Sequence, residues 1–121
     1  MIYNGHDEVY LSGAYAGADG AIGSTFNMMP EPFVQMHAHI STEERPDMGL
    51  LQSLQSKANE VVSHMVRFDV IAYEKYVLFL QGVLSSPKVR QPLKQLTEEE
   101  RQQIHDYYRS SKLLHHHRIK V

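Results

Sequence analysis

Two adjacent carboxylates lie close to the start of the chain, in the segment YNGHDE. Asp7 and Glu8 follow the dipeptide Asn4-Gly5, which is typical of a tight turn. An ionised carboxylate only accepts hydrogen bonds, and bonds assisted by its charge are the stronger ones. Neighbouring residues diverge on a helix, so we do not expect a coupled acid and base. The structural alternative is that Asp7 caps a helix and Glu8 is a first-turn acid favoured by the helix dipole.

A group of small residues follows, with glycines spaced as G-x-x-G-x-x-G. Gly17, Gly20 and Gly23 form this series, and Ser24 comes directly after it. The series matches neither the dinucleotide-binding fingerprint nor a P-loop, because no lysine follows Gly23. Gly17 and Gly20 are interpreted as turn and packing residues. Ser24 is either a plain loop hydroxyl or a ligand contact, and the residues themselves leave both readings open.

The other residues that could do chemistry form no catalytic or metal-binding pattern. The chain has eight histidines and no cysteine, which excludes a disulfide framework and a thiolate nucleophile. His37 and His39 are two residues apart and point to different sides of a predicted helix. His64 and His105 are isolated in the sequence. The run at residues 115–117 could bind a transition metal only weakly, so we predict no metal site.

Composition limits the classes of protein and partner. A length of 121 residues suits one domain, and 42% apolar with 21% charged residues fits a folded globular chain. The net charge of −2 comes without a basic stripe, so we expect neither nucleic acid nor a membrane as partner. No apolar run approaches the ~18 residues of a membrane helix, and the acidic N-terminus is unlike a signal peptide. We therefore expect a cytoplasmic protein.

Before residue 30 the pattern predicts a strand, a helix and a second strand. Residues 1–3 are typical of the end of a strand, and Ala21-Ile22 of a short buried one. Asp7 is expected to cap a helix over residues 8–16, which Gly17 ends. The apolar positions of this helix are Val9, Leu11, Ala14 and Tyr15. One helix between two strands, joined by short loops, predicts a parallel βα unit.

After residue 30 the pattern is helical. Prolines suit the first turn of a helix over residues 30–40. Asp47 opens a long helix, and Asp69 is expected to cap a further, well-buried helix over residues 70–84. The apolar residues of the long helix recur at the spacing of one helical face: Leu51, Leu54, Ala58, Val61, Val62 and Met65.

The last predicted helix follows a loop over residues 87–96. Thr97 and Glu100 have the spacing of a capping box, which opens the helix. Its apolar residues on one face are Ile104, Tyr107 and Tyr108. The tail over residues 111–121 has no clear period, and we predict no element there.

Three segments near the start carry a resemblance to a known family. They are NGHDE at residues 4–8, GADG at residues 17–20 and IGST at residues 22–25. With the spacing between them, they closely resemble the seventh and eighth βα units of N-acetylneuraminate lyases. These enzymes are Schiff-base aldolases of the dihydrodipicolinate synthase superfamily. Residues 90–100, which include RQPL and LTEEE, are similar to the superfamily's link into its last helix.

The resemblance implies an α/β fold that is mostly helical by residue count. It corresponds to the C-terminal portion of a TIM (β/α)8 barrel, with strands 7 and 8, their helices and a C-terminal helical extension. Residues 1–121 would form a single partial domain. Its parts would be the last two βα units at residues 1–40, the C-terminal helices at residues 47–110 and a tail at residues 111–121.

The resemblance also implies which residues bind substrate. In the family, residues of these loops bind hydroxyls of sialic acid. Carried over to this sequence, the substrate-binding residues are Gly5, Asp7, Glu8, Gly23 and Ser24. A polyhydroxylated substrate offers many donors to carboxylates, and glycines let it approach the backbone closely. His6 stands where the family often has tyrosine, so the resemblance leaves the exact substrate open.

The activity implied is the reversible cleavage of N-acetylneuraminate to N-acetylmannosamine and pyruvate. It proceeds through a lysine Schiff base and needs no further cofactor, in proteins that are typically homotetramers. By resemblance, that lysine lies on the sixth strand and hence upstream of Met1. The chain's lysines follow no predicted strand; they are Lys57, Lys75, Lys88, Lys94, Lys112 and Lys120. We therefore predict no catalytic residue here, and an inactive chain when it is alone.

Two alternatives stay open. One is a related aldolase of the same superfamily that acts on another 2-keto acid, although the pair Asp7 and Glu8 is unusual for the dihydrodipicolinate branch. The other is a non-catalytic remnant that binds partners or assembles through its helices.

Overall fold

The computed structural model describes residues 1–115. Within that range the chain forms two short β-strands, six α-helices and two 3-10 helices, and most residues are helical. The chain divides into two compact units, Met1–Val62 and Ser63–Val121. No helix within residues 1–115 combines the length and the hydropathy that a membrane crossing needs.

The first unit begins with a parallel pair of strands. β1 (Tyr3–Asn4) pairs with β2 (Gly20–Ala21), so that Tyr3 lies opposite Gly20 and Asn4 opposite Ala21. The predicted parallel strand–helix–strand unit is therefore confirmed, although β1 ends one residue later than expected and β2 begins and ends one residue earlier. The predicted burial of the second strand is wrong at Ile22, which follows β2 and is 68% exposed. The connection between the strands contains a 3-10 helix, Asp7–Val9, followed directly by α1, Tyr10–Tyr15.

The N-terminal cap predicted for this connection is wrong. His6 occupies the N-cap position, and no side chain there bonds to the helix. The Asp7 carboxylate instead bonds to Thr25, 18 residues further along. The end of the helix is as predicted, because Gly17 follows it at φ +100°, a conformation that glycine adopts without strain.

The predicted apolar face of the connection is also partly wrong. Val9 and Tyr15 are exposed, whereas Tyr10 is only 4% exposed. The Tyr10 ring packs edge-on against Phe33, with 5.9 Å between the ring centroids. A 3-10 turn has three residues per turn instead of 3.6, so it rotates the buried face away from the positions of a continuous α-helix.

The remainder of the first unit is helical, after a second 3-10 helix at Ser24–Asn27. α2 (Glu31–Thr42) begins one residue later than predicted, with Pro30 at its N-cap, and ends two residues later than expected. α3 (Met48–Met65) begins after Asp47, whose Oδ1 accepts the N–H of Leu50 at 3.1 Å. All six predicted apolar residues of α3 are buried, which confirms that face.

Up to residue 115, the second unit contains the end of α3 and three further helices. α4 (Val70–Leu80) is capped as predicted, since Asp69 Oδ1 accepts the N–H of Ala72 at 3.1 Å. It ends four residues before the predicted boundary. Gly82 has φ +82° and takes the left-handed position that follows a helix end.

α5 (Glu98–Ser110) opens with the predicted capping box between Thr97 and Glu100. The pKa of the Glu100 carboxyl is lowered, chiefly because the backbone N–H of Thr97 donates to it. Of the predicted apolar face, Ile104 and Tyr108 are buried and Tyr107 is half-buried.

The segment predicted as a tail contains one more element. α6 (Lys112–His115) buries Leu114 completely, and the Leu114 carbonyl accepts a hydrogen bond from Gln81 Nε2 at 3.0 Å. Four residues are too few to show a helical period in the sequence. The rest of the predicted tail, residues 116–121, lies outside the described residues.

Candidate functional site

The segments that follow the two strands are joined by a buried carboxylate. They are residues 5–9 after β1 and residues 22–27 after β2, each including a 3-10 helix, and are called the two loops below. Asp7 Oδ2 accepts the N–H of Thr25 at 3.1 Å and also bonds the Thr25 hydroxyl. Asp7 and Thr25 are 7% and 2% exposed. Parallel strands have their carboxyl ends at one edge of the sheet, so the loops after β1 and β2 start from the same edge. The Asp7–Thr25 contact holds them together there.

Gly23 is needed at this junction for space. Its backbone is extended, with φ −150°, which any residue adopts. A Cβ atom built on Gly23 would overlap the carboxylate of Asp7. The glycine therefore allows the Asp7 carboxylate to lie against the second loop.

Two polar side chains of α3 form hydrogen bonds with the backbone of residues 7–11, which is called the acidic segment below. Gln55 Oε1 accepts the N–H of Leu11 at 2.9 Å, and Gln55 Nε2 donates to the Asp7 carbonyl at 3.0 Å. Asn59 Nδ2 donates to the carbonyl of Glu8 at 3.0 Å. Our sequence analysis missed both residues. The available signal was that Gln55 is a polar residue one helical turn after Leu51, on the predicted apolar face of α3.

The other predicted site residues lie on the surfaces of the same two loops. Glu8 is exposed, and its Oε1 is 3.6 Å from His6 Nδ1. Gly5 is exposed, and a Cβ atom there would have no other atom within 4 Å. Ser24 is exposed, and its carbonyl accepts Asn27 Nδ2 at 3.0 Å. Of the five predicted residues, the structure brings Asp7 and Gly23 into direct contact.

Comparison with known proteins assigns the chain to a protein family by sequence. The pattern of the dihydrodipicolinate synthetase family matches residues 1–110. The chain belongs to this family. The resemblance found in the loop motifs is therefore confirmed at the level of the family.

Members of the family that are similar to this chain are lyases by name. N-acetylneuraminate lyase 2 of Escherichia coli O6:H1 is 31% identical over 99 residues, which are 82% of this chain and 32% of that protein. N-acetylneuraminate lyase of Salmonella agona is 35% identical over the same shares. The chain thus spans about a third of the length of these curated relatives.

Solved structures of the family share the fold. CdNal from Clostridium difficile, in complex with mannosamine, is 29% identical and aligns with a TM-score of 0.81. The alignment covers 92% of this chain and 37% of that one. The similar structures are TIM-barrel enzymes, so the mostly helical fold of this chain, with its two strands, corresponds to part of such a barrel.

The lysines of the described residues lie on helices and loops. Lys57 is on α3, Lys75 is on α4 and Lys112 is on α6, while Lys88 and Lys94 lie between α4 and α5. Lys120 lies outside the described residues. Lys75 Nζ is 3.5 Å from the carbonyl oxygen of Lys88. The absence of a Schiff-base lysine from this chain stays a prediction.

Histidines contact tyrosines in both units. His37 Nδ1 is 2.9 Å from the Tyr10 hydroxyl, and His64 Nδ1 is 2.8 Å from the Tyr73 hydroxyl. Burial lowers the pKa of His64, with a smaller effect from Arg67. Burial raises the pKa of Tyr73. Within residues 1–115 no three histidine, aspartate or glutamate side chains could hold a metal ion together, and residues 116 and 117 of the histidine run are not described.

An open cavity of about 420 Å³ lies in the first unit. Its lining includes Tyr3, Tyr10, Phe26, Phe33 and His37. Burial raises the pKa of Tyr10, whose hydroxyl bonds to His37 at the cavity. None of the five predicted site residues lines it, so the joined loops and the cavity are separate features of this unit.

Proposed function

We propose that this chain is part of an N-acetylneuraminate lyase-type aldolase and provides strands 7 and 8 of its barrel. The parallel pair β1 and β2, connected through α1, supports this assignment. Residues 1–40 would be the last two βα units, residues 47–110 the C-terminal helices and residues 111–121 a tail. The similar proteins named above are N-acetylneuraminate lyases, which supports this branch of the family.

In this proposal the joined loops bind hydroxyls of the sugar chain. The observation that carries it is the contact between Asp7 and Thr25, because it holds both predicted binding loops at one edge of the sheet. Glu8 is exposed and offers carboxylate oxygens to donors. Gly5 has open space around it, so a ligand can approach its backbone.

Asp7 has two tasks in this site. Its Oδ2 bonds to Thr25, and its Oδ1 lies against Gly23, where a side chain would not fit. In this proposal Oδ2 holds the loops, and Oδ1 is the oxygen that accepts a sugar hydroxyl. Ser24 contributes from the exposed side of the second loop.

The whole enzyme would cleave N-acetylneuraminate to N-acetylmannosamine and pyruvate. A lysine amine forms a Schiff base with the 2-keto group, and the iminium takes up the electron pair when the carbon–carbon bond breaks. We propose that this chain supplies no catalytic residue, that no other cofactor takes part and that the enzyme is a homo-oligomer. The chain alone would then bind sugar and have no lyase activity.

A titration with N-acetylmannosamine, followed by amide NMR, tests the sugar-binding role. We expect shifts at Gly5, Asp7, Glu8, Gly23 and Ser24, and a weaker affinity for Glu8→Gln, which removes the charge and keeps the size. Glu60→Gln, an exposed residue of α3, is the matched control and should bind as the unaltered chain does. Shifts confined to the cavity around His37 would contradict the assignment.

Trapping with borohydride tests the absence of the Schiff-base lysine. The chain is incubated with pyruvate and sodium borohydride, and its intact mass is measured. A full-length N-acetylneuraminate lyase serves as the positive control. We expect an adduct on the control and none on this chain; an adduct on any of its lysines would overturn this part of the proposal.

A further inference from the structure

We propose that Gln55 and Asn59 of α3 are positioning residues, which orient the Glu8 carboxylate toward the ligand by holding the backbone on both sides of it. This inference rests on the proposed function, because it assumes that Glu8 binds the sugar. Neither α3 side chain needs to touch the ligand.

The argument starts from the two peptide planes that flank Glu8. The Asp7 carbonyl belongs to the plane before the Glu8 Cα atom, and the Glu8 carbonyl to the plane after it. Gln55 donates to the first at 3.0 Å, and Asn59 donates to the second at 3.0 Å. Peptide units are planar, so fixing both planes fixes φ and ψ of Glu8. The direction of its Cα–Cβ bond is then set.

Further hydrogen bonds of Gln55 restrict the backbone on both sides of Glu8 more firmly. Its Oε1 accepts the N–H of Leu11, and its Nε2 also donates to Asn59 Oδ1 at 3.0 Å. The Gln55 carboxamide thus connects three groups while it is only 9% exposed. A buried carboxamide is stable only when it is hydrogen-bonded, so Gln55 strongly favours this one arrangement of residues 7–11.

The position of Gln55 on α3 supports a task beyond packing. Leu51, Ala58 and Val62 are buried on the same face at helical spacing. An apolar residue at position 55 would pack between them equally well. The glutamine instead matches a carbonyl and an N–H of the acidic segment, which only a side chain with both a donor and an acceptor does.

The test uses substitutions that exchange one donor for an acceptor. Asn59→Asp keeps the shape of the side chain and loses the N–H that bonds to Glu8. Gln55→Glu does the same at Asp7, but it buries a charge, so Asn59→Asp carries the test if that variant does not fold. Gln52→Glu, on the exposed side of α3, is the matched control.

Two measurements separate positioning from loss of structure. The HN–Hα coupling constant of Glu8 reports its φ angle, and we expect it to change in Asn59→Asp and not in Gln52→Glu. The affinity for N-acetylmannosamine should fall about tenfold in Asn59→Asp, as for the loss of one well-placed hydrogen bond. In a Glu8→Gln background the same substitution should cost no further affinity, because the group it orients is gone.

The outcomes are distinguishable. An unchanged coupling constant in Asn59→Asp overturns the inference, whether or not sugar binds. An equal loss of affinity in both backgrounds also overturns it, because general destabilisation then explains the effect. If the unaltered chain does not bind N-acetylmannosamine, the proposed function fails, and the coupling constant alone decides whether the two residues hold Glu8.

Discussion

Among single residues, Gly23 and Gly5 differ in what surrounds them. Gly23 lies against the Asp7 carboxylate, whereas Gly5 has open space on the side where a Cβ atom would be. Neither has a positive φ angle. We predict that Gly23→Ala lowers the free energy of unfolding by about 1–3 kcal/mol, the usual cost of overpacking a tight site. Urea unfolding of the chain measures it.

Gly5→Ala is the matched control for this prediction. Alanine fits the space there, and it reduces the freedom of the unfolded chain, so the free energy of unfolding should stay the same or rise by up to about 1 kcal/mol. Equal losses in both variants would show that the Asp7–Gly23 contact does not set the requirement for glycine.

The environment of His64 predicts a dependence of stability on pH. Its ring stacks on Tyr107 with 3.8 Å between centroids, and its Nδ1 is within hydrogen-bond distance of the Tyr73 hydroxyl, at 2.8 Å. Burial, together with Arg67, lowers the pKa of His64 in the folded chain. The unfolded chain therefore binds the proton more readily, and stability falls as pH drops below about 6.5. Above that pH both states are neutral and the effect vanishes.

Thermal unfolding between pH 5 and pH 8 measures this effect. We expect His64→Gln to flatten the decline on the acid side, since glutamine keeps an acceptor and has no titrating group. His105→Gln on α5 removes a histidine outside the aromatic stack and should keep the decline. The same slope in both variants would mean that another group causes it.

Among the elements, α5 depends on its N-terminal cap. Thr97 accepts the N–H of Glu100 at 3.1 Å, and the Glu100 carboxylate accepts the N–H of Thr97 at 3.0 Å. We predict that Thr97→Ala costs about 0.5–2 kcal/mol of stability and speeds hydrogen exchange of the Glu100 amide. Thr97→Ser keeps the hydroxyl and should restore most of both. A serine variant as weak as the alanine variant would rule out the hydroxyl as the cause.

The elements that the sequence predicted well depend on local signals. The capping residues Asp69 and Thr97 bond to N–H groups three residues away. The residues next to them in the sequence therefore suffice to predict these caps. The buried face of α3 follows from helical spacing alone. The parallel strands follow from the short connections around one helix.

The parts that the sequence did not predict depend on contacts between distant residues. Asp7 was predicted to be a helix cap because an aspartate at such a position usually accepts a backbone N–H from two or three residues further along. It bonds to Thr25, 18 residues further along, instead. Gln55 contacts the backbone of Asp7, 48 residues earlier in the chain. The proposed roles of the site residues came from the family resemblance, and the contacts that hold them came only from the structure.

At the scale of the whole molecule, the feature that affects association is the two outer sides of the sheet in the first unit, where β1 and β2 face away from each other. Within residues 1–115 each strand pairs with one neighbour only, so both outer edges keep unpaired backbone groups. Ile2, Tyr3 and Ile22, next to or within these strands, are 69%, 51% and 68% exposed. Open edges with apolar side chains favour pairing with another chain.

We therefore predict that the chain self-associates through this region as its concentration rises, which sedimentation velocity measures. Ile22→Lys should shift the distribution toward the monomer, because a charge beside the strand opposes pairing. Val66→Lys is the matched control: Val66 is 61% exposed but belongs to the second unit, so the same charge there should leave association unchanged. A chain that stays monomeric at every concentration would contradict the prediction of self-association. Equal effects of the two lysines would show that the cause of association lies elsewhere than at the strand edges.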